Sequence, residues 1–290
     1  MKRPVIDSDF YLDSQVETLF FPGGEPHAKL PLDLLTGITT SPLLYLKART
    51  WNDVGLGACV WDTLVRYHRE YSTPHPALFM PYSPAARQDK TDGTAPITKG
   101  IIAAMFAANK NIHVFDIHSD LYSWNWRPHN WMPADLNLPM RPDVDFVIAP
   151  DAGARNRALD FMQAYCKNAK LVEASKERDQ STGRLSNYKV DFTSIGVPPV
   201  PVKCLVVDDI CDGGATFNML ADAVKAVNPF AELELFVSHG IFSKGLTALR
   251  SRYTHFYTTD SFYGPKTYQK QDDVTVYSLK PLVEMIANDY

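Results

Sequence analysis

The chain has 290 residues, enough for two domains of ordinary size and for a full buried core. Hydrophobic residues make up 45% and charged residues 21%, which excludes wholesale disorder and a fibrous or collagen-like chain. Lys plus Arg number 29 against 33 Asp plus Glu, a formal charge of -4, so no global positive field exists to hold a nucleic-acid backbone or an anionic membrane. Any phosphate must be bound locally.

At the N-terminus, basic Lys2 and Arg3 are followed by Asp7, Asp9 and Asp13 where a signal peptide needs an apolar stretch. Runs of β-branched and aromatic residues predict buried strands at 43–46, 77–80, 113–117, 146–149, 203–207, 233–237, 255–258 and 274–277. Amphipathic stretches predict helices at 53–72, 96–109, 155–168, 215–226, 241–251 and 281–289. The alternation is that of an α/β protein with largely parallel sheets. Two similar domains are expected, 1–138 and 139–278, divided near the Pro- and Trp-rich stretch Trp124–Pro142, with the helix in 279–290 packing back on the first. The longest apolar run, Gly100–Ala108, has nine residues, too few to span a membrane. Cys59, Cys166, Cys204 and Cys211 form no Cys-x-x-Cys pair and are too scattered for a disulfide framework. They read as reduced thiols of a cytoplasmic protein.

The most informative string is Lys203-Cys-Leu-Val-Val-Asp208-Asp209-Ile-Cys-Asp212-Gly213-Gly214-Ala215-Thr216. It predicts an apolar strand ending in two acids, then a glycine-bearing loop that opens a helix. Adjacent carboxylates can accept hydrogen bonds from a vicinal diol such as the 2- and 3-hydroxyls of ribose, and can help hold a divalent cation. The Gly-Gly turn lets N–H groups converge on an anion at a helix N-terminus, where Thr216 adds a hydroxyl. A turn with merely solvated acids would need no ligand, but diol plus phosphate together describe a phosphorylated ribose.

This string resembles the phosphoribosyl-diphosphate signature shared by type I phosphoribosyltransferases and ribose-phosphate diphosphokinases. The segment Pro81-Tyr-Ser-Pro-Ala-Ala-Arg87-Gln88-Asp89-Lys90 looks like the ATP-binding segment of the diphosphokinases and has no counterpart in ordinary phosphoribosyltransferases. Further matches follow the same order: Gly23-Gly24-Glu25, Phe115-Asp-Ile-His118, Pro150-Asp151-Ala-Gly153, Lys176-Glu-Arg178 and Ser238-His239-Gly240-Ile241-Phe242. The resemblance implies a type I phosphoribosyltransferase-like fold over about residues 20 to 260.

It also implies roles. Lys176 and Arg178 correspond to catalytic cations at the root of a flexible loop, and the polar segment Gln180–Tyr188 reads as its mobile lid. His118 and Asp151 would hold the Mg²⁺ that carries the ATP phosphates. Arg87, Gln88, Asp89 and Lys90 fall on ATP. Gly23, Gly24 and Glu25 would reach an adenine bound mostly by a neighbouring subunit, which implies a homo-oligomer with shared sites. Asp208, Asp209, Asp212, Gly213, Gly214, Ala215 and Thr216 would bind the ribose phosphate.

Two departures stand out. The usual Asp-Gly-Glu is Gly23-Gly24-Glu25 here, and the usual Asp-Thr-Gly-Gly-Thr is Asp212-Gly213-Gly214-Ala215-Thr216, which lacks one hydroxyl donor and carries a methyl group where glycine allows close approach. The expected activity is transfer of the β,γ-diphosphoryl group of ATP to the anomeric hydroxyl of ribose 5-phosphate. The altered loop keeps open a 5-substituted acceptor such as ADP-ribose, and a phosphoribosyltransferase or an inactive regulatory homologue stands further off.

Overall fold

The computed structural model describes residues 3–8, 15–89, 93–94, 96–106, 111–119, 128–140, 142–178, 185–190, 192, 200–263, 265–268 and 271–288, with the backbone alone at 177–178, 185–187 and 265–266. Its contacts divide the chain into two units, Met1–Trp131 with Leu279–Tyr290, and Met132–Ser278. The sequence had suggested a division near residue 138.

The first unit contains β1 (Val5–Asp7), the hairpin β2 (Glu17–Phe20) and β3 (Pro26–Lys29), α1 (Leu32–Thr36), β4 (Leu43–Tyr45), α2 (Trp51–Tyr71), β5 (Ala77–Met80), α3 (Thr98–Met105), β6 (Ile112–Phe115) and β7 (His129–Trp131). Five of these strands form a parallel sheet in the order β1-β4-β5-β6-β7. A reciprocal cap starts α2: the Thr50 hydroxyl accepts from the Asp53 N–H, and the Asp53 carboxylate accepts from the Thr50 N–H. The helix buries Val54, Gly57, Val60, Trp61, Leu64 and Val65 at helical spacing against Leu44, Leu46, Leu78 and Met80. Gly57 is needed for the approach, since a Cβ there would lie 2.5 Å from Leu46.

The second unit contains β8 (Phe146–Ala149), α4 (Arg155–Tyr165), β9 (Lys170–Arg178), β10 (Leu185–Val190), β11 (Val202–Cys211), α5 (Ala215–Val227), β12 (Ala231–Gly240), α6 (Thr247–Arg250), β13 (His255–Thr259) and β14 (Val274–Tyr277). Its sheet runs β10-β9-β8-β11-β12-β13-β14, parallel except for β10. Both faces are covered. Cys204 and Val206 pack with Phe217, Leu220 and Val224 of α5, while Leu205 and Val207 pack with Ala158 and Phe161 of α4. A last helix, α7 (Lys280–Asn288), counts with the first unit, where the Arg3 N–H donates to the Ala287 carbonyl at 2.9 Å. Among the described residues, no helix is long and apolar enough to cross a membrane.

Two expectations need correction. The helix expected at 241–251 is only Thr247–Arg250. The N–H groups of Ile241 and Phe242 both bond to the Cys211 carbonyl, and positive φ angles at Phe242 (44°) and Gly245 (68°) turn the chain before a helix can start. The expected lid 180–188 is in part a strand: Leu185–Val190 pairs antiparallel with β9, Tyr188 opposite Lys176, and buries Tyr188 and Val190. Residues 180–184 lie outside the described residues.

Candidate active site

In the second unit the strand order reverses between β8 and β11, because β8 leads on to β9 on one side while β11 leads to β12 on the other. Open α/β sheets take ligands outside the carboxyl ends of the strands at such a point. Pairing of β11 with β8 stops at Val206–Ile148, yet pairing with β12 continues to Cys211–Gly240. The strand therefore does not end at Asp208 and Asp209, as the sequence suggested. Instead β12 carries it past them, and the acids sit where β8 has already ended.

Arg157 of α4 faces this gap, with guanidinium nitrogens 3.6 Å from Asp208 Oδ1 and 4.0 Å from Asp209 Oδ2. Burial, followed by the adjacent Asp209 carboxylate, pushes the Asp208 carboxyl well above the usual carboxylate range, and Arg157 offsets part of that rise. Such a pair presents acceptor oxygens at a partly dry surface, which suits a diol better than a second anion.

After β11, Asp212, Gly213 and Gly214 turn the chain into α5. Gly214 has φ +77°, and a Cβ there would also meet Leu249 at 3.2 Å, so both conformation and space require glycine. The first internal bond of the helix is Asn218 N–H to the Gly214 carbonyl, at 3.0 Å. No side chain caps the helix, and among the described residues the N–H groups of Ala215, Thr216 and Phe217 have no acceptor. Three free N–H groups at the positive end of a helix dipole, beside the Thr216 hydroxyl, can hold a phosphomonoester. Asp212 is held aside by Ser243, whose hydroxyl donates to its Oδ1 at 2.5 Å.

Asp151 follows β8 directly. Its Oδ1 accepts from the N–H groups of Gly153 (2.9 Å) and Ala154 (3.1 Å), and its Oδ2 is ion-paired with the Lys176 ammonium. Desolvation alone would raise its pKa, but the Lys176 hydrogen bond and charge, with the two N–H groups, outweigh it and hold the carboxyl below its ordinary value. Two expected site residues, Asp151 and Lys176, are thus in contact. Arg178 ends β9, its backbone paired with Leu185.

In the first unit, Gly23, Gly24 and Glu25 form the exposed tip of the β2–β3 hairpin, closed by Gly24 N–H to the Phe21 carbonyl at 2.8 Å, with φ +91° at Gly24. Arg87 and Gln88 are exposed and Asp89 is buried; Lys90 lies outside the described residues. His118 is exposed, three residues beyond β6, after a turn with φ +40° at buried Asp116. Lys99 of α3 ties these segments together. Its N–H donates to the Gln88 carbonyl (3.4 Å) and its buried ammonium to Ser119, next to His118. His118 and Asp151 belong to different units.

Sequence reasoning missed Arg157 and Lys99. Each is one basic residue on a helix, and only the fold shows that its charge is turned inward. A possible signal for Arg157 lay six residues after Asp151, on a helix that had to start beside the site.

No family model matches the chain. It is similar to the ribose-phosphate pyrophosphokinase of Maricaulis maris, 28% identical over 268 residues that cover 85% of this chain and 81% of the relative. The enzyme of the same name from Hyphomonas neptunium is 25% identical over 226 residues, 72% of this chain and 70% of that one. Among solved structures, phosphoribosylpyrophosphate synthetase from Mycobacterium smegmatis superposes with a TM-score of 0.74 at 19% identity, covering 99% of this chain and 98% of that one. The α/β fold expected from the motifs is borne out by that structure, and the family resemblance by the curated relatives.

Proposed function

We propose that this relative of the ribose-phosphate pyrophosphokinases transfers the β,γ-diphosphoryl group of ATP to the anomeric hydroxyl of ribose 5-phosphate. The bond from the sugar O1 to the β-phosphorus forms, the bond from that phosphorus to the α-phosphate oxygen breaks, AMP leaves, and the hydroxyl proton passes to solvent. One observation carries this reading: a buried acid pair and an uncapped helix N-terminus lie on one strand–loop–helix at the switch point of the second sheet. A ribose seated with its diol on Asp208 and Asp209 and its 5-phosphate on the loop is held at both ends, and orientation is most of what phosphoryl transfer asks of a protein.

Lys176 and Arg178 would stabilise the charge that develops on the transferred group. Arg87 and Gln88, exposed beside the segment that Lys99 secures, would take the nucleotide. The hairpin tip Gly23–Glu25 would complete an adenine site on a second copy of the chain; exposed Phe20 and Phe21 beside it support a homo-oligomer. Among the described residues no cluster of three or more His, Cys, Asp or Glu could hold a metal alone. Mg²⁺ needs only one or two carboxylates besides phosphate oxygens and water, and Asp151, kept ionised, offers a hard oxygen that fits it. When bound, the ion would neutralise the ATP phosphates. Four free thiols support a cytoplasmic setting.

The test is to incubate the protein with ATP, Mg²⁺ and ribose 5-phosphate and to follow nucleotide and sugar products by mass. AMP should appear in equal amount with phosphoribosyl diphosphate. Release of ADP, or no turnover, overturns the reading. A kcat/KM for ADP-ribose at least about tenfold above that for ribose 5-phosphate would move the acceptor to the larger molecule.

A further inference from the structure

Lys244 lies outside every motif read from the sequence, in the loop between β12 and α6. Because β11 and β12 are paired to their last residues, Cys211 and Gly240, the loops that follow them emerge side by side. The second loop is fastened to the first. The N–H groups of Ile241 and Phe242 donate to the Cys211 carbonyl at 3.0 Å, Ser243 N–H donates to the Asp212 carbonyl at 3.2 Å, and the Ser243 hydroxyl holds the Asp212 carboxylate. Buried Phe242 packs edge-on against Phe256 and Tyr268, which anchors the turn, and Gly245 N–H closes it on the Phe242 carbonyl at 2.8 Å.

This leaves the Lys244 stem across the phosphate loop. Its Cδ and Cε lie 3.5 Å from where a Cβ on Gly213 would stand, and its Cγ lies 3.8 Å away. Gly213 is the position at which the loop lacks a hydroxyl donor, and the lysine stem lies in ordinary van der Waals contact with the place where a Cβ there would stand. Asp212, adjacent in sequence to Gly213, is engaged by Ser243. Among the described residues the Lys244 ammonium has no ion-pair partner. A cation on a fastened loop, next to three unfilled N–H groups, has an anion as its natural partner.

We infer that Lys244 binds the 5-phosphate of the sugar substrate and supplies from a neighbouring loop the contact that Gly213 cannot make; the inference rests on the function proposed above. Lysine suits the task, because its charge on a flexible stem meets a phosphate without the fixed geometry that a hydroxyl on the loop would require.

The test compares Lys244→Met, which keeps the stem and removes the charge, with Lys244→Arg, which restores a charge. Two readouts are taken: steady-state KM values, and calorimetric binding of ribose 5-phosphate to the full chain without ATP. In Lys244→Met, KM and Kd for ribose 5-phosphate should rise about tenfold, KM for ATP should stay within about twofold, and Lys244→Arg should recover most of the loss. Unchanged thermal unfolding excludes misfolding as the cause. An active wild type with Lys244→Met within about twofold on both sugar readouts overturns the assignment alone, as does a fall in kcat with KM unchanged. A wild type that binds ribose 5-phosphate without releasing AMP overturns the reaction, and weaker binding by Lys244→Met then still supports the phosphate contact. A wild type that neither binds nor turns over the sugar phosphate overturns both.

Discussion

Asp208 and Asp209 stand next to each other on one strand, largely out of water, and Arg157 answers their charge from the helix opposite. Removing that cation leaves carboxylates that must either take up a proton or repel each other, and a protonated pair is a poorer acceptor for a diol. Arg157→Met should therefore destabilise the fold by on the order of 2–3 kcal/mol and raise KM for ribose 5-phosphate, while Arg157→Lys recovers part of both. Denaturant unfolding and initial rates check the two effects; a variant as stable as the wild type would show that the guanidinium does not pair with the acids in solution. Lys176 differs in kind. It is half-exposed and bound to Asp151, so its loss should cost little stability. If it stabilises the transferred group, Lys176→Ala lowers kcat by at least about 100-fold with the thermal transition little changed. A loss of less than about tenfold in stopped-assay rates would take the catalytic role from it.

At the scale of elements, close packing is what α2 contributes to the first unit, and Gly57 is where it is tightest. Alanine has the better helix propensity by up to about 1 kcal/mol, but a methyl group 2.5 Å from fully buried Leu46 cannot be accommodated by a solvent-facing shift. Gly57→Ala should lower stability by about 1–3 kcal/mol in chemical denaturation, and a gain would mean that β4 and α2 can separate freely. The same contrast between propensity and context explains what could be read from the sequence. The strands at 43–45, 77–80 and 146–149 were visible because burial on both faces demands unbroken apolar runs, and the half-buried edge strand 274–277 because its residues are β-branched or aromatic. β9 and β10 escaped because, as in β9, exposed Glu173 and Ser175 alternate with buried Val172 and Ala174 between flanking lysines, and one exposed face dilutes the signal. β1 and β7 have three residues each, too short for any pattern to show. The stretch 241–251 looked helical, but the Cys211 carbonyl captures its first N–H groups. In the site, the acid pair and phosphate loop were legible because one continuous string holds them. Arg157, Lys99 and Lys244 were not, since only tertiary packing places a lone basic residue beside these segments.

Across the whole molecule, ionisable groups buried without charge are concentrated in the second unit, among them Cys166, Cys204, Tyr253, Tyr257, Tyr268 and Tyr277. Burial pushes the thiols of Cys166 and Cys204 and the phenols of Tyr268 and Tyr277 up to about 12, and raises Tyr253 and Tyr257 as well. In an unfolded chain the same thiols ionise near about pH 8.5 and the phenols near about pH 10. Between those values and the folded ones, the native state holds protons that the unfolded state has released. Stability that is complete below the unfolded values is then lost as pH rises toward the folded ones. The melting temperature should thus be level from pH 7 to 8 and fall progressively above about pH 9, and the part of the tyrosinate absorbance that comes from Tyr253, Tyr257, Tyr268 and Tyr277 should appear with unfolding rather than before it. Thermal scans from pH 7 to 11 with absorbance recorded alongside decide the matter. A level melting temperature through pH 11, or phenols of the second unit titrating near pH 10 in the folded protein, would show that this core admits water and that its thiols are open to reaction.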